Sequence, residues 1–195
     1  VSPTRFIVHE SIYDKFVDGF VKISENVEVG NGLDSNVSMG PLAHDRRLEA
    51  MESFVTDAKE KGAKIRSGGK RKGNKGYFYE PTVLTDVPIN AKIMNEEPFG
   101  PLAPIAQFQN FDEVVEEANR LPYGLAAFAF TNSAKTAEQI SSSIESGIVS
   151  INQPWMPVVE VPFGGIKDSG YGKELGTEGL DAYMQSKFIT QKSSI

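Results

Sequence analysis

The chain contains no cysteine. That removes disulfides, thiolate metal ligands and any thiolate nucleophile from its own residues. Histidine is nearly as scarce. His9 and His44 are the two present, and they lack the short spacing of a metal-binding pair, so no metal site is expected. No apolar run approaches the roughly 18 residues that a membrane-spanning helix needs. Net charge is −6, which offers no general attraction to nucleic acid or to an anionic membrane. The expectation is a cytoplasmic protein with neither nucleic acid nor membrane as partner. What is present is ordinary for a globular protein: 195 residues, 39% hydrophobic and 24% charged, enough for a substantial core.

Apolar spacing gives the elements. Phe6, Ile7 and Val8 predict a strand over Arg5–Glu10. Ser11 reads as the N-cap of a helix whose apolar stripe is Ile12, Phe16, Phe20 and Ile23. Asn31 to Gly40 is turn-rich. A second helix starts near His44, buries Leu48, Met51, Val55 and Ala58, and stops at Gly62. Ala63–Ser67 is a short strand, and Tyr77–Val87 is strand-like, with Pro81 favouring an edge or an irregular segment. Between them, Gly68 to Gly76 is basic and rich in glycine; without interleaved aromatics it reads as a solvated turn rather than a phosphate or nucleic-acid site.

Leu102–Phe108 is an apolar strand, followed by a capping box at Asn110 and Glu113 that opens a helix carrying Val114, Val115 and Ala118. Leu125–Phe130 is another strand. Ser133 caps a helix with Ala137, Ile140 and Ile144 on one face, closed by Gly147. Ile148–Asn152 is a strand, Thr177–Met184 a short helix, and Lys187–Gln191 a final extended piece. Strands alternate with helices at least three times, which predicts an α/β fold: a mostly parallel sheet with helices on both faces. One domain is the simplest count, taken as residues 1–186 with a tail of residues 187–195.

The densest glycine stretch runs from Pro162 to Gly176, with Gly164, Gly165, Gly170, Gly172 and Gly176 inside it. It follows a strand, where open α/β sheets place their sites. It is not a phosphate-binding Walker loop, since Tyr171 and Gly172 stand where Lys and Ser or Thr are required. Nor is it the dinucleotide fingerprint, because Gly170, Gly172 and Gly176 are spaced one residue too widely.

The string Pro162-Phe163-Gly164-Gly165-Ile166-Lys167-Asp168-Ser169-Gly170-Tyr171-Gly172-Lys173-Glu174-Leu175-Gly176 closely resembles the C-terminal signature of the aldehyde dehydrogenase superfamily. Glu96-Glu97-Pro98-Phe99-Gly100-Pro101 resembles the family's E-x-F-G-P segment, and Pro3-Thr4-Arg5-Phe6-Ile7-Val8 the strand after its catalytic cysteine. The resemblance implies a catalytic-domain fold and NAD or NADP as cofactor. It places the nicotinamide-ribose glutamate on Glu97 and the nearby aromatic on Phe99. Phe163 matches a position lining the aldehyde tunnel. Trp155, with Met156, Val158 and Val159, could shape the same pocket, or Trp155 could pack at an interface. Asn152 belongs to a segment beside the active centre and could hold a loop or order the site. Lys167, Ser169 and Glu174 match the signature but are assigned to loop architecture.

By the same resemblance the nucleophilic cysteine would sit immediately before Val1, with the glutamate base and the Rossmann domain further upstream. The chain is therefore expected to be the C-terminal segment of a larger enzyme. That enzyme would oxidise an aldehyde through a thiohemiacetal and a thioester, and the segment alone would be inactive, with no catalytic residue of its own. Family members form dimers or tetramers through a C-terminal extended segment, expected here at Lys187–Gln191. The succinate-semialdehyde group is the nearest in appearance, although residues 153–161 offer no cation for a carboxylate. Two alternatives stay open: a non-catalytic interaction module with the same fold, and an acylating, coenzyme A-dependent relative.

Overall fold

A computed structural model describes residues 2–154 and 158–193. They fall into two compact units, Ser2–Val114 and Val115–Ile195.

In the first unit the strand order is β1-β4-β3-β2, where β1 is Phe6–His9, β2 is Lys64–Ser67, β3 is Thr82–Thr85 and β4 is Leu102–Phe108. Strands β1 and β3 each run parallel to β4, and β2 is an antiparallel edge. All four residues of β3 are buried, as expected for a strand covered on both faces. The two faces can be read from neighbouring residues, because side chains alternate along a strand. Val83 packs with Val8, Val17 and Ile105 under α1, Tyr13–Glu25. Leu84 packs with Met51, Phe54 and Leu102 under α2, Asp45–Glu60. Helices therefore cover both faces, as the pattern predicted.

Helix α2 buries Leu48, Met51, Val55 and Ala58 as their spacing required, with Phe54 added. It ends at Gly62, whose φ of +103° suits glycine alone. The N–H of Ala63 returns to the carbonyl of Ala58 and that of Gly62 to Lys59, the paired bonds of a Schellman stop.

Three expectations need correcting. Ser11 does not cap α1: it lies inside a 3₁₀ turn, Glu10–Ile12, where the His9 ring nitrogen accepts from the Ser11 N–H at 3.2 Å. The ends of the predicted α1 stripe, Ile12 (54% exposed) and Ile23 (71%), face outward, while Val17 (1%) is buried. Tyr13, Phe16, Phe20 and Val21 pack beside it. Nor does Pro81 mark an edge: of its two readings the irregular segment holds. It sits just before β3, an interior strand, and so removes no ladder donor from it.

The helix α3, Phe111–Asn119, opens on the predicted capping box: the Glu113 N–H donates to Asn110 Oδ1 at 3.0 Å. The reciprocal bond lands one residue early, on the Gln109 N–H. In the second unit, β6 (Ala126–Ala129), α4 (Ala134–Ser143) and β7 (Ile148–Ile151) form a parallel β-α-β unit. Ser133 caps α4 by accepting from the Thr136 N–H at 3.2 Å. The helix stops at Ser143, short of Gly147, because Ile144 is already extended. In a small antiparallel pair, β5 (Tyr123–Gly124) meets β8 (Ile166–Lys167), which lies within the glycine-rich loop. The short helix near Thr177 is a 3₁₀ helix, Glu178–Tyr183. Among the described residues, Lys187–Gln191 is assigned to no helix or strand and is exposed.

Candidate functional site

Glu97 and Phe99 lie in the first unit, on a segment anchored from beneath. A 3₁₀ turn at Lys92–Met94 buries Ile93 and Met94. Asn95 Nδ2 donates to the carbonyls of Ile89 and Ala91, at 2.7 and 2.8 Å. Pro98 is buried, and its carbonyl accepts from Arg47 Nη1 at 3.2 Å. Gly100 has no room for a side chain, since an added Cβ would come within 2.3 Å of Met51 Sδ. Held this way, the chain leaves Glu97 and Phe99 outside. Phe99 is 68% exposed and has a φ of +45°. Left-handed backbone costs a residue with a side chain roughly 1–2 kcal/mol, and an exposed phenyl ring adds an unfavourable apolar surface. A strained, exposed aromatic at a fixed point is a feature of ligand sites. The Glu97 carboxylate is exposed and engages no hydrogen-bond or ion-pair partner among the described residues. Two free carboxylate oxygens beside a flat apolar ring suit a ribose with its attached planar ring.

Asn152 and Phe163 belong to the second unit. Asn152 follows β7 with a φ of +58°. Both ends of its amide are engaged: Oδ1 accepts from the Thr131 N–H and Nδ2 donates one hydrogen to the Thr131 carbonyl, both at 2.8 Å. The side chain thus joins the C-terminal ends of β6 and β7. That geometry is of the loop-holding kind, and the second Nδ2 hydrogen is left over.

The glycine-rich loop is held by backbone bonds and by side chains that bond backbone. Phe163 and Glu174 exchange N–H and carbonyl at 2.7 Å in each direction. Lys173 Nζ donates to the carbonyls of Gly164 (2.7 Å) and Gly165 (3.2 Å). The Gly124 N–H donates to Ser169 Oγ at 2.9 Å. Lys167 pairs with Glu145 and donates to the Asn119 carbonyl. Lys167 and Ser169 are therefore architectural, as assigned, while Glu174 takes part through its backbone. Lys173, Asn119 and Glu145 share that work and had no sequence signal pointing to it. Gly147 is required by contact: a Cβ there would lie 1.9 Å from the Gly164 carbonyl oxygen.

Phe163 lines a pocket of about 170 Å³ together with Phe128, Ser150, Val158, Val161 and Leu175. Val158 was foreseen there. Phe128 and Leu175 were not, because they sit far from Phe163 in sequence or in a left-handed turn (Leu175 φ +60°) that spacing does not reveal. Trp155 and Met156 lie outside the described residues. Among the described residues no group of acidic or histidine side chains could hold a metal ion, and no helix is long and apolar enough to cross a membrane.

The fold and these two segments define a class: an α/β domain with an exposed carboxylate and aromatic in one unit and an apolar pocket in the other. Residues 1–189 match the aldehyde dehydrogenase family. The chain belongs to the aldehyde dehydrogenase family. It is 41% identical, over 97% of its length, to a protein named as a probable succinate-semialdehyde dehydrogenase (NADP+) of Sinorhizobium fredii, covering 38% of that protein. It is 42% identical to 4-(hydroxymethyl)benzenesulfonate dehydrogenase TsaD1 of Comamonas testosteroni, over 97% of this chain and 39% of that one. An NAD+ complex structure of an aldehyde dehydrogenase from Bacillus cereus superposes with a TM-score of 0.89 at 40% identity, over 93% of this chain and 37% of that chain. The chain thus spans less than two fifths of the length of the relatives it matches.

Proposed function

We propose that this chain forms part of the catalytic domain of an NAD(P)+-dependent aldehyde dehydrogenase that converts a small aldehyde and water to a carboxylate. The hydride goes to NAD(P)+ and two protons are released. The observation that carries the reading is the exposed, anchored Glu97–Phe99 pair, with Phe99 held in left-handed backbone. Glu97 accepts hydrogen bonds from the ribose hydroxyls, and Phe99 forms an apolar wall for the nicotinamide face. Bound NAD(P)+ supplies the hydride acceptor; the residues here bind and orient it. Phe163 lines the aldehyde pocket and Asn152 positions the strand ends beside it. A relative named as an NADP+ enzyme and a solved NAD+ complex of an aldehyde dehydrogenase support this assignment.

The chain has no cysteine, so a thiolate nucleophile must come from outside these 195 residues, and the chain alone does not turn over aldehyde. Phe188 and Ile189, 90% and 74% exposed, support self-association through Lys187–Gln191, where unpaired backbone can add to a neighbouring sheet. The test compares the protein carrying this segment with the isolated chain, measuring NAD(P)H formation with acetaldehyde, benzaldehyde and succinate semialdehyde. Aldehyde-dependent reduction of NAD+ or NADP+ by the former alone is expected. No turnover by either would point to the second reading, a non-catalytic module, which the lack of cysteine favours.

A further inference from the structure

We infer that the pocket around Phe163 selects neutral aldehydes with an apolar ring or branched tail and rejects carboxylate-ended ones. The inference rests on the aldehyde dehydrogenase reading above and adds the substrate class. The described wall is apolar: Phe128, Val158, Val161, Phe163 and Leu175 line it. Its polar side chains are Ser150 and Gln153, and the Ser150 hydroxyl is already committed, donating to the Gln153 carbonyl at 3.2 Å. The pocket's volume of about 170 Å³ is comparable to the roughly 150 Å³ of a dry apolar cavity that accepts benzene.

Charge decides the other half. A carboxylate taken out of water needs a cation or several donors, or its desolvation is uncompensated. No Lys, Arg or His is among the lining residues. The two lysines of the adjacent loop are committed elsewhere, Lys167 to Glu145 and the Asn119 carbonyl, Lys173 to the Gly164 and Gly165 carbonyls. The nearest charges along the chain are acidic. Glu160 precedes Val161, and Glu174 precedes Leu175 and pairs by backbone with Phe163. Both are exposed and would repel an anionic tail. This chain therefore departs from relatives whose names contain succinate semialdehyde or a benzenesulfonate, both of which are anions.

The experiment measures kcat/KM for benzaldehyde and succinate semialdehyde with the protein that carries this segment, before and after Val158→Arg. Val161→Lys serves as the second variant should the first fail to fold. A preference for benzaldehyde above about tenfold is expected, since an apolar site discriminates at least that strongly against a misfit. Either variant should lower that ratio at least tenfold by supplying the missing cation. A ratio at or below ten, or one that neither variant moves, overturns the inference and leaves the aldehyde dehydrogenase reading standing. Failure to oxidise any aldehyde with either cofactor overturns that reading, and the inference with it.

Discussion

The two units of this chain are held together by different means. Every buried hydrophobic side chain among the described residues lies between Val8 and Ile105, in the first unit. In the second unit the buried residues are Gly124, Ser150 and Gly165, and α4 buries none of its side chains. The first unit is a packed core in which Tyr79, Met51 and Leu84 are essentially inaccessible. The second is a framework of backbone and lysine–carbonyl bonds around close glycine contacts. A core tolerates changes on its surface and fails on loss of volume. A framework of this kind fails when one small residue grows or one donor is lost. The proposed cofactor residues sit on the first kind of scaffold and the proposed aldehyde pocket on the second.

The largest effect should come from the framework. Gly147→Ala places a methyl within 1.9 Å of the Gly164 carbonyl oxygen. Neither backbone can yield without breaking the loop, so a loss above about 4 kcal/mol is expected. Amide hydrogen exchange should show residues 115–193 losing protection while residues 2–114 keep theirs. Next is Leu84→Ala, which empties a fully buried position between α2 and β4. A loss of about 3 kcal/mol is expected, read as a lower midpoint in denaturant and as faster exchange in β3 and β4. Lys173→Met removes two carbonyl bonds while keeping the stem. About 2 kcal/mol is expected, confined to exchange in the loop around Gly164 and Gly165.

How much of this was legible in the sequence follows the same division. Periodicity located α2 and its buried face because a hydrophobic core writes itself in 3.6-residue spacing. In α1 the middle of the stripe, Phe16 and Phe20, packs as predicted, but its ends were misread: Ile12 lies in a 3₁₀ turn that spacing alone does not show, and Ile23 faces outward. Pro81 marks an irregular segment and not an edge, because a residue adjoining a strand loses nothing to the ladder. In the second unit the glycine string announced a shaped loop, yet the agents of its shape are side chains bonding distant backbone. Asn119 to the Ser143 carbonyl and the Glu145 N–H is one example, and Asn152 to Thr131 is another. Such bonds follow no period. Glu97, Phe99 and Phe163 were found by motif resemblance, and their exposure or pocket position became visible only in three dimensions.

The smallest of these effects is electrostatic and belongs to the core. Burial pushes the Tyr79 phenol up to about 12, with the charges of Glu52 and Glu80 adding to it. The folded state holds this proton where the unfolded chain, with a phenol near 10, releases it. Stability is therefore complete below about pH 10 and falls as pH rises from there toward 12. Tyr79→Phe should flatten that alkaline decline without changing stability at pH 7 by more than about 1 kcal/mol, since the buried hydroxyl has no partner among the described residues. Alkaline unfolding curves of the two proteins make the comparison.

The central claim is that the anchored segment around Pro98 presents Glu97 and Phe99 to a nicotinamide dinucleotide. Its most direct test is equilibrium binding of NAD+ and NADP+ to the protein carrying this segment, before and after Glu97→Gln, by calorimetry without aldehyde. Glu97 is exposed, so the fold should be untouched. The account predicts at least about a tenfold rise in Kd for the cofactor that binds, the loss of a charge-assisted hydrogen bond. An unchanged Kd with an unchanged circular dichroism spectrum would contradict it.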